Sequence, residues 1–389
     1  MKSDTAYLDC FFSLLVLIVF LFAQFFILIE QINNNRRKND NSNNEGDGKP
    51  LGNDLKHNSL LSLITRQKGS TLPKKHPKQS HMVDLKVLSP YSIRSMKGDN
   101  MYTLFVDSDC DFTPNSAAEI GAKLISMPYS IGNDEFFPYE TWKEYKPDEF
   151  YSLLRKGTLP KTSGLSPEKY ISYFEPEFKE GKDILYCHFS KAMTMSFDSM
   201  KIALSMLKEK YPERKFYEID TKAITSLAFT IAREVGKLYK AGKSPEELIE
   251  WADMEVDHYA MYFFADDLKF FARSGRVSGI SAKMGNLFGV KPIIYMNEEG
   301  KMVTKGKALG KAAAIQTILS YMDEFGDEVT QNPIVIGHTG WEEGAKMCRD
   351  AIEKKYGKNL DITILVVNPT AGSHCGPNGV GIAFHSKHR

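Results

Sequence analysis

Three carboxylates stand together directly after a hydrophobic run. The segment FVDSDCDF at 105–112 places Asp107, Asp109 and Asp111 at alternate positions. Two aspartates in an Asp-x-Asp pair can act as nucleophile and general acid in phosphate-ester hydrolysis, because one attacks phosphorus while the other protonates the leaving oxygen. The spacing therefore indicates a phosphatase-like hydrolase as one candidate function.

The match to such hydrolases is incomplete. Asp107 and Asp109 resemble the nucleophile and acid of haloacid-dehalogenase-type phosphatases, but those enzymes have Thr or Val where this chain has Asp111. The second interpretation, which we favour, is a loop at the end of a strand whose Asp and Ser side chains cap the next helix. The hydrolase stays open as the alternative function.

Hydroxyl side chains form a second candidate site. The loop TSGLSP at 162–167 and the segment SKAMTMSFDS at 190–199 both place hydroxyls at the predicted C-terminal edge of a parallel sheet. Such edges bind ligands. A buried carboxylate needs hydrogen-bond donors, and hydroxyls supply them without a fixed counter-charge. Taken one at a time, each hydroxyl is also explained as a helix cap.

Recognised catalytic and cofactor motifs are missing from the sequence. The segment GKALGKA at 306–312 lacks the phosphate-loop spacing, and there is no G-x-S-x-G or H-E-x-x-H. The five cysteines include no Cys-x-x-Cys pair, and His374, Cys375, His385 and His388 fit no standard metal site. We therefore expect no metal, no cofactor and no catalytic residue.

The charge balance argues against nucleic-acid binding. Lys and Arg number 50 and Asp and Glu 49, a net charge of +1 over 389 residues. A nucleic-acid surface would show a basic excess. The hydrophobic fraction of 42% is ordinary for a globular chain, and the length allows more than one domain.

The first residues have a different composition from the rest. Residues 10–29 carry no charge, and about twenty helical residues span roughly 30 Å, the thickness of the bilayer core. This predicts a transmembrane helix; a cleaved signal peptide is the alternative. Arg36, Arg37 and Lys38 follow the span, so the globular part should be cytoplasmic in a single-pass protein of the cell membrane. Without this extension the protein would be cytoplasmic.

The pattern of elements divides the remaining chain. Strands alternate with helices up to residue 258, which predicts a parallel sheet. Strand pairs joined by short turns follow, which indicates a mixed or antiparallel sheet. The predicted domains are a membrane anchor at 1–31, a low-complexity tether at 32–100, an N-terminal α/β lobe at 101–258 and a C-terminal α/β lobe at 259–389.

Taken together, these segments resemble the DegV family of fatty-acid-binding proteins. The shared order is D-S-x-x-D after the first strand, T-S-x-x-S-P, a hydroxyl-rich turn, the block at 268–301 and a closing G-x-H-x-G-P-x-G-x-G. The resemblance covers residues 101–385 and implies a two-domain α/β fold with a long-chain fatty acid between the domains. It also implies that the chain is not itself an enzyme. Some members carry the acyl group for a separate fatty acid kinase subunit, which is the implied partner.

The resemblance implies a set of ligand-binding residues. The carboxylate-binding Thr of T-S-x-x-S-P falls on Thr162, with Ser163 next to it. The ligand-binding Ser of the hydroxyl turn falls on Thr194, which keeps the hydroxyl. The Arg of G-G-R-I-S falls on Arg276 and the His of the closing loop on His374.

Two positions depart from the family pattern. Met195 stands where the family has Gly, so the shape of the turn should differ. The family usually has a basic run at this point, after its third strand, whereas this chain has ALGKA at 308–312. If that run contacts a kinase subunit in the family, we expect the contact to differ in this chain.

Overall fold

The computed structural model describes residues 101–140, 146–278 and 289–389. The predicted anchor at 10–29 and the predicted tether lie outside these ranges. Within them, every helix is too short or too polar to cross a bilayer.

The strands and helices of the described part follow in chain order. The strands are β1 (Tyr102–Asp107), β2 (Lys123–Ile125), β3 (Tyr129–Ile131), β4 (Asp134–Phe136), β5 (Lys161–Thr162), β6 (Asp183–His188), β7 (Phe216–Asp220), β8 (Tyr259–Phe264), β9 (Val277–Ser278), β10 (Val290–Met296), β11 (Met302–Leu309), β12 (Ile334–His338), β13 (Ile362–Val366) and β14 (Val380–His385). The helices are α1 (Pro114–Glu119), α2 (Pro147–Arg155), α3 (Pro167–Lys179), α4 (Ser196–Lys210), α5 (Thr225–Lys240), α6 (Pro245–Glu255), α7 (Lys269–Ser274), α8 (Lys311–Phe325), α9 (Glu342–Tyr356) and α10 (Pro369–Cys375).

The first sheet is parallel throughout. Its strand order is β2-β1-β6-β7. All six residues of β1, YTLFVD, are buried, as expected of a parallel strand covered on both faces. The parallel sheet predicted for the N-terminal part is confirmed.

The second sheet is mixed. Its order is β13-β12-β14-β8-β10-β11-β9, with parallel pairing of β12 to β13 and of β11 to β9 and antiparallel pairing elsewhere. This confirms the mixed sheet predicted for the C-terminal part. The sequence did not predict the small antiparallel sheet β4-β3-β5, whose strands of two or three residues are too short to show a period.

Helix α5 lies between the two larger sheets. It packs against β1 and β6 of the parallel sheet and against β8, β12 and β14 of the mixed sheet. Eleven of its residues are buried, because a helix enclosed on both sides needs an apolar surface nearly all round. All described residues belong to one compact unit, and the division at residue 258 stays a prediction.

Candidate functional site

A cavity of about 400 Å³ opens between the ends of the strands and helices α4, α5 and α10. Its volume lies within the range of about 300–1,000 Å³ that is usual for small-molecule sites. The structure places every residue of the predicted ligand set on its wall, namely Thr162, Ser163, Thr194, Arg276 and His374. Their individual roles stay predictions.

Thr162 and His374 form a polar pair in the cavity wall. Thr162 ends β5, and His374 lies in the last turn of α10. Oγ1 of Thr162 is 2.9 Å from Nε2 of His374, whereas Nδ1 of His374 is buried without a partner among the described residues. Burial and the positive charges of Arg276 and Arg273 lower the pKa of His374 to about 4.

The neutral pair has a spare proton in either tautomer. If the Thr162 hydroxyl donates to Nε2 of His374, Nδ1 carries the imidazole proton and can donate. If Nε2 donates to Thr162, the threonine hydroxyl can donate instead. The pair can therefore offer one hydrogen bond to an anion at neutral pH.

Thr194 lies in the turn before α4. Its Oγ1 accepts a hydrogen bond from the backbone N–H of Ser196 over 3.0 Å. This bond resembles a helix cap, the alternative explanation of this hydroxyl, because it satisfies a backbone donor at the helix start. The hydroxyl proton of Thr194 remains available for a ligand, since its oxygen only accepts in this bond.

Ser196 joins the two hydroxyl-bearing segments and was not among the predicted residues. Its Oγ accepts from the N–H of Leu165 over 2.9 Å and lies 2.8 Å from the hydroxyl of Tyr170. A Cβ at Gly164 would lie 3.0 Å from Cα of Ser196. The 162–167 loop therefore rests directly on the start of α4, and this contact could not be read from either segment alone.

Arg276 is fixed to the same turn by its guanidinium. Its Nε donates to the carbonyl of Met193 over 3.1 Å and its Nη1 to the carbonyl of Ser274 over 3.0 Å. Gly275, with φ of +65°, ends α7 in the left-handed conformation and reverses the chain before Arg276. The side chain brings a positive charge to the cavity wall.

Ser163 differs from the other predicted residues. It lines the cavity, but its hydroxyl donates to Oε1 of Glu135 over 2.8 Å. Donation to a ligand would require breaking this bond.

Asp107 has a structural environment. Its carboxylate accepts from the N–H of Cys110 over 3.0 Å, and its Oδ2 accepts from the Tyr186 hydroxyl at 3.0 Å and the Phe189 N–H at 3.1 Å. Burial raises its pKa to about 6, while these donors oppose the shift. Asp107 is also the N-cap of the short helical turn Ser108–Cys110. These contacts favour the capping interpretation of this loop over a nucleophile.

The carboxylate of Asp111 also accepts hydrogen bonds from protein groups. Its Oδ1 accepts from the backbone N–H of Asn368 over 2.9 Å and from Nδ2 of Asn368 over 2.8 Å. Burial raises its pKa to about 7. Within the described ranges, no group of three or more His, Cys, Asp or Glu residues is placed to hold a metal ion.

The rest of the cavity wall is largely apolar. Sulfur-containing and aromatic side chains contribute much of it, and methionines adapt readily to flexible ligands. The apolar lining comprises Met127, Leu165, Phe189, Met193, Met195, Ile224, Met261, Phe263, Phe264, Met302, Val367, Ala371, Cys375 and Val380.

Comparisons with known proteins agree on one family. A family described as "Uncharacterised protein, DegV family" matches residues 101–387. A DegV domain-containing protein of Clostridium perfringens is 28% identical over 283 residues, which cover 73% of this chain and 97% of the relative.

Solved structures share the fold. A stearic acid-binding protein from Eubacterium ventriosum matches with a TM-score of 0.65 and 21% identity, covering 74% of this chain and 98% of its own. A DegV family protein from Thermus thermophilus, described by its fatty acid binding, matches with a TM-score of 0.64 and 22% identity. The match covers 73% of this chain and 99% of that protein.

Proposed function

The chain belongs to the DegV family through residues 101–387, and on that premise we propose that its cavity binds a long-chain fatty acid. The carboxylate would be held by Thr162, Thr194 and the His374 imidazole, beside the charge of Arg276. The observation that carries the proposal is the convergence of these side chains on one largely apolar cavity. Relatives described as binding stearic acid and other fatty acids support it.

Energetics agree with a fatty acid in this cavity. A buried carboxylate costs several kcal/mol unless it is hydrogen-bonded. The spare proton of the Thr162–His374 pair and the hydroxyl of Thr194 supply two charge-assisted bonds of about 1.5–3 kcal/mol each. An acyl chain of about 14 methylenes would add up to roughly 11 kcal/mol by burial. The chain would supply affinity and the hydroxyls orientation.

We propose further that the bound carboxylate is presented to a separate fatty acid kinase subunit. Met195, beside Thr194, lines the cavity and is 82% exposed, which supports an opening near the carboxylate. On this proposal the chain carries the acyl group and does not itself catalyse. Production of an acyl phosphate only when the loaded chain, a kinase subunit and ATP are combined would support it. No product in that mixture would contradict it.

Residues 10–29 would hold the globular part at the cytoplasmic face of a membrane. This proposal rests on the uncharged run and the basic residues after it. It would place the cavity close to a source of acyl chains.

Native mass spectrometry tests fatty acid binding directly. The full chain, purified without added lipid, should carry about one long-chain fatty acid per protein. Folded protein that is free of lipid and also fails to take up added palmitate or oleate would contradict the proposal.

A further inference from the structure

Asp109 is the acidic residue of its segment that lines the cavity. It is 5% exposed, and its Oδ1 is buried without a hydrogen-bond partner among the described residues. Asp107 and Asp111, by contrast, accept hydrogen bonds from neighbouring backbone and side-chain donors. Asp109 is therefore the aspartate whose carboxyl group is left to interact with a ligand.

The contacts of Asp109 define what it can accept. Burial and the charges of Asp107 and Asp111 raise the pKa of Asp109 well above its ordinary value. The hydroxyl of Thr370 contacts this carboxyl, but Thr370 donates its single proton to the carbonyl of Met127 over 3.0 Å. Its proton is therefore not available to Asp109, and Oδ1 of Asp109 stays an unpaired acceptor in the cavity wall.

An unpaired acceptor does not match a plain hydrocarbon chain. Packing methylenes against Oδ1 of Asp109 would keep a buried polar atom unsatisfied. An apolar site discriminates weakly against an added hydroxyl, whereas a site that bonds a hydroxyl discriminates strongly against ligands that lack one.

We propose that the preferred ligand is a long-chain fatty acid with a hydroxyl group on its acyl chain, and that Asp109 accepts the hydrogen bond of that hydroxyl. This inference rests on the proposed function and names its ligand class. Thr370 and His374 are four residues apart on α10, on the same face and about one helical turn from each other. The hydroxyl, bonded to Asp109 beside Thr370, and the carboxylate, held near His374, can thus belong to one ligand.

Binding of matched ligands to the full chain tests this proposal. The probes are stearic acid, a series of hydroxystearic acids with the hydroxyl moved along the chain, and the ketone that matches the tightest-binding isomer. One hydroxy isomer should bind about ten- to hundred-fold more tightly than stearic acid. The ketone should lose this advantage, because it has no proton to donate to Asp109.

Variants of Asp109 identify the group responsible. Asp109→Leu should abolish the preference and bind stearic acid at least as tightly as the wild type does. Asp109→Asn should keep much of the preference, because its amide can donate to Thr370 and still accept from the ligand. Ser199→Ala is the matched control, since it removes another hydroxyl from the cavity wall and should leave the preference intact.

The outcomes separate this inference from fatty acid binding itself. If stearic acid binds and no hydroxy isomer exceeds it, or if the preference survives in Asp109→Leu, the hydroxyl inference is overturned and the proposed function stands. If no fatty acid binds the folded wild type, both are overturned. Should Asp109→Leu not fold, the wild-type comparison of alcohol with ketone and the Asp109→Asn variant decide.

Discussion

Thr162 and His374 are 212 residues apart in the chain, yet Oγ1 of one lies 2.9 Å from Nε2 of the other. The contact joins the two-residue strand β5 to the last turn of α10. Because the imidazole is neutral, the pair can offer a proton without adding charge to the cavity. The predictions below start from this pair.

Removing the hydroxyl of Thr162 should weaken fatty acid binding. Thr162→Val keeps the shape of the side chain, so we expect a loss of about 1.5–3 kcal/mol, roughly ten- to hundred-fold in the dissociation constant. Ser163→Ala is the matched comparison, because Ser163 donates to Glu135, and its effect should be smaller. Titration calorimetry with palmitate measures both. Equal affinities in Thr162→Val and the wild type would contradict the carboxylate assignment.

Thr194→Val should affect both binding and stability. It removes a candidate ligand donor and also the acceptor for the N–H of Ser196. We expect a similar loss of affinity together with about 1 kcal/mol of stability, the usual value of a helix cap. Affinity must therefore be compared at equal folded fraction. A loss of stability with unchanged affinity would assign Thr194 to the helix start alone.

His374 should make folding stability depend on pH. Its folded-state pKa of about 4 lies below the ordinary value of about 6.5. The unfolded chain therefore binds this proton first as the pH falls. Above about pH 6.5 the histidine is neutral in both states and has no effect on the free energy of unfolding. Between about pH 6.5 and about pH 4 its protonation in the unfolded state lowers that free energy by up to about 3 kcal/mol.

The raised pKa values of Asp107 and Asp111 act in the opposite direction. Their carboxyls take up protons more readily in the folded state, so acidification favours folding through them.

Urea unfolding of wild type and His374→Gln at several pH values isolates the contribution of the histidine from that of the aspartates. The free energy of unfolding should fall more steeply with acidification in the wild type than in the variant. Parallel curves would show that His374 does not titrate in this way.

A methyl group at position 164 should displace the loop that carries Thr162. In Gly164→Ala the new Cβ would lie 3.0 Å from Cα of Ser196. We expect about 1–3 kcal/mol of destabilisation and weaker fatty acid binding, although no ligand donor is removed. Thermal unfolding and lipid titration check this, and an unchanged affinity would show that the contact does not position Thr162.

The topology of the N-terminal segment can be tested in cells. We expect the full chain in the membrane fraction, with its globular part protected when protease is added to intact cells. The physical reason is that the basic residues 36–38 stay on the cytoplasmic side of the span. Digestion from outside would reverse the predicted topology, and a fully soluble protein would remove the anchor.

Local signals in the sequence are sufficient to predict the starts of α3 and α6. Ser244 accepts from the N–H of Glu247 over 3.2 Å, and Glu247 accepts in return from the N–H of Ser244 over 2.8 Å. Ser166 likewise accepts from the N–H of Lys169 over 3.3 Å. These bonds join residues three positions apart, so residue type and spacing alone predict them.

Long-range contacts within the site could not be derived in this way. No local pattern places His374 beside Thr162, and only the family resemblance indicated that both bind one ligand. The role of Ser196 depends on the packing of α3 against α4, which brings Tyr170 to its hydroxyl. The unpaired oxygen of Asp109 was equally hidden, because it depends on where Thr370 donates its own proton.

The position of α5 between the sheets has a consequence for folding. Residues from both sheets surround this helix, and they share a single hydrophobic cluster that runs from Tyr102 to Ala383. A fragment ending at residue 258 would expose the face of α5 that packs on β12 and β14. We therefore expect the fragment to aggregate, and the intact globular part to unfold in one cooperative transition, because the cluster around α5 is complete only when both sheets are present.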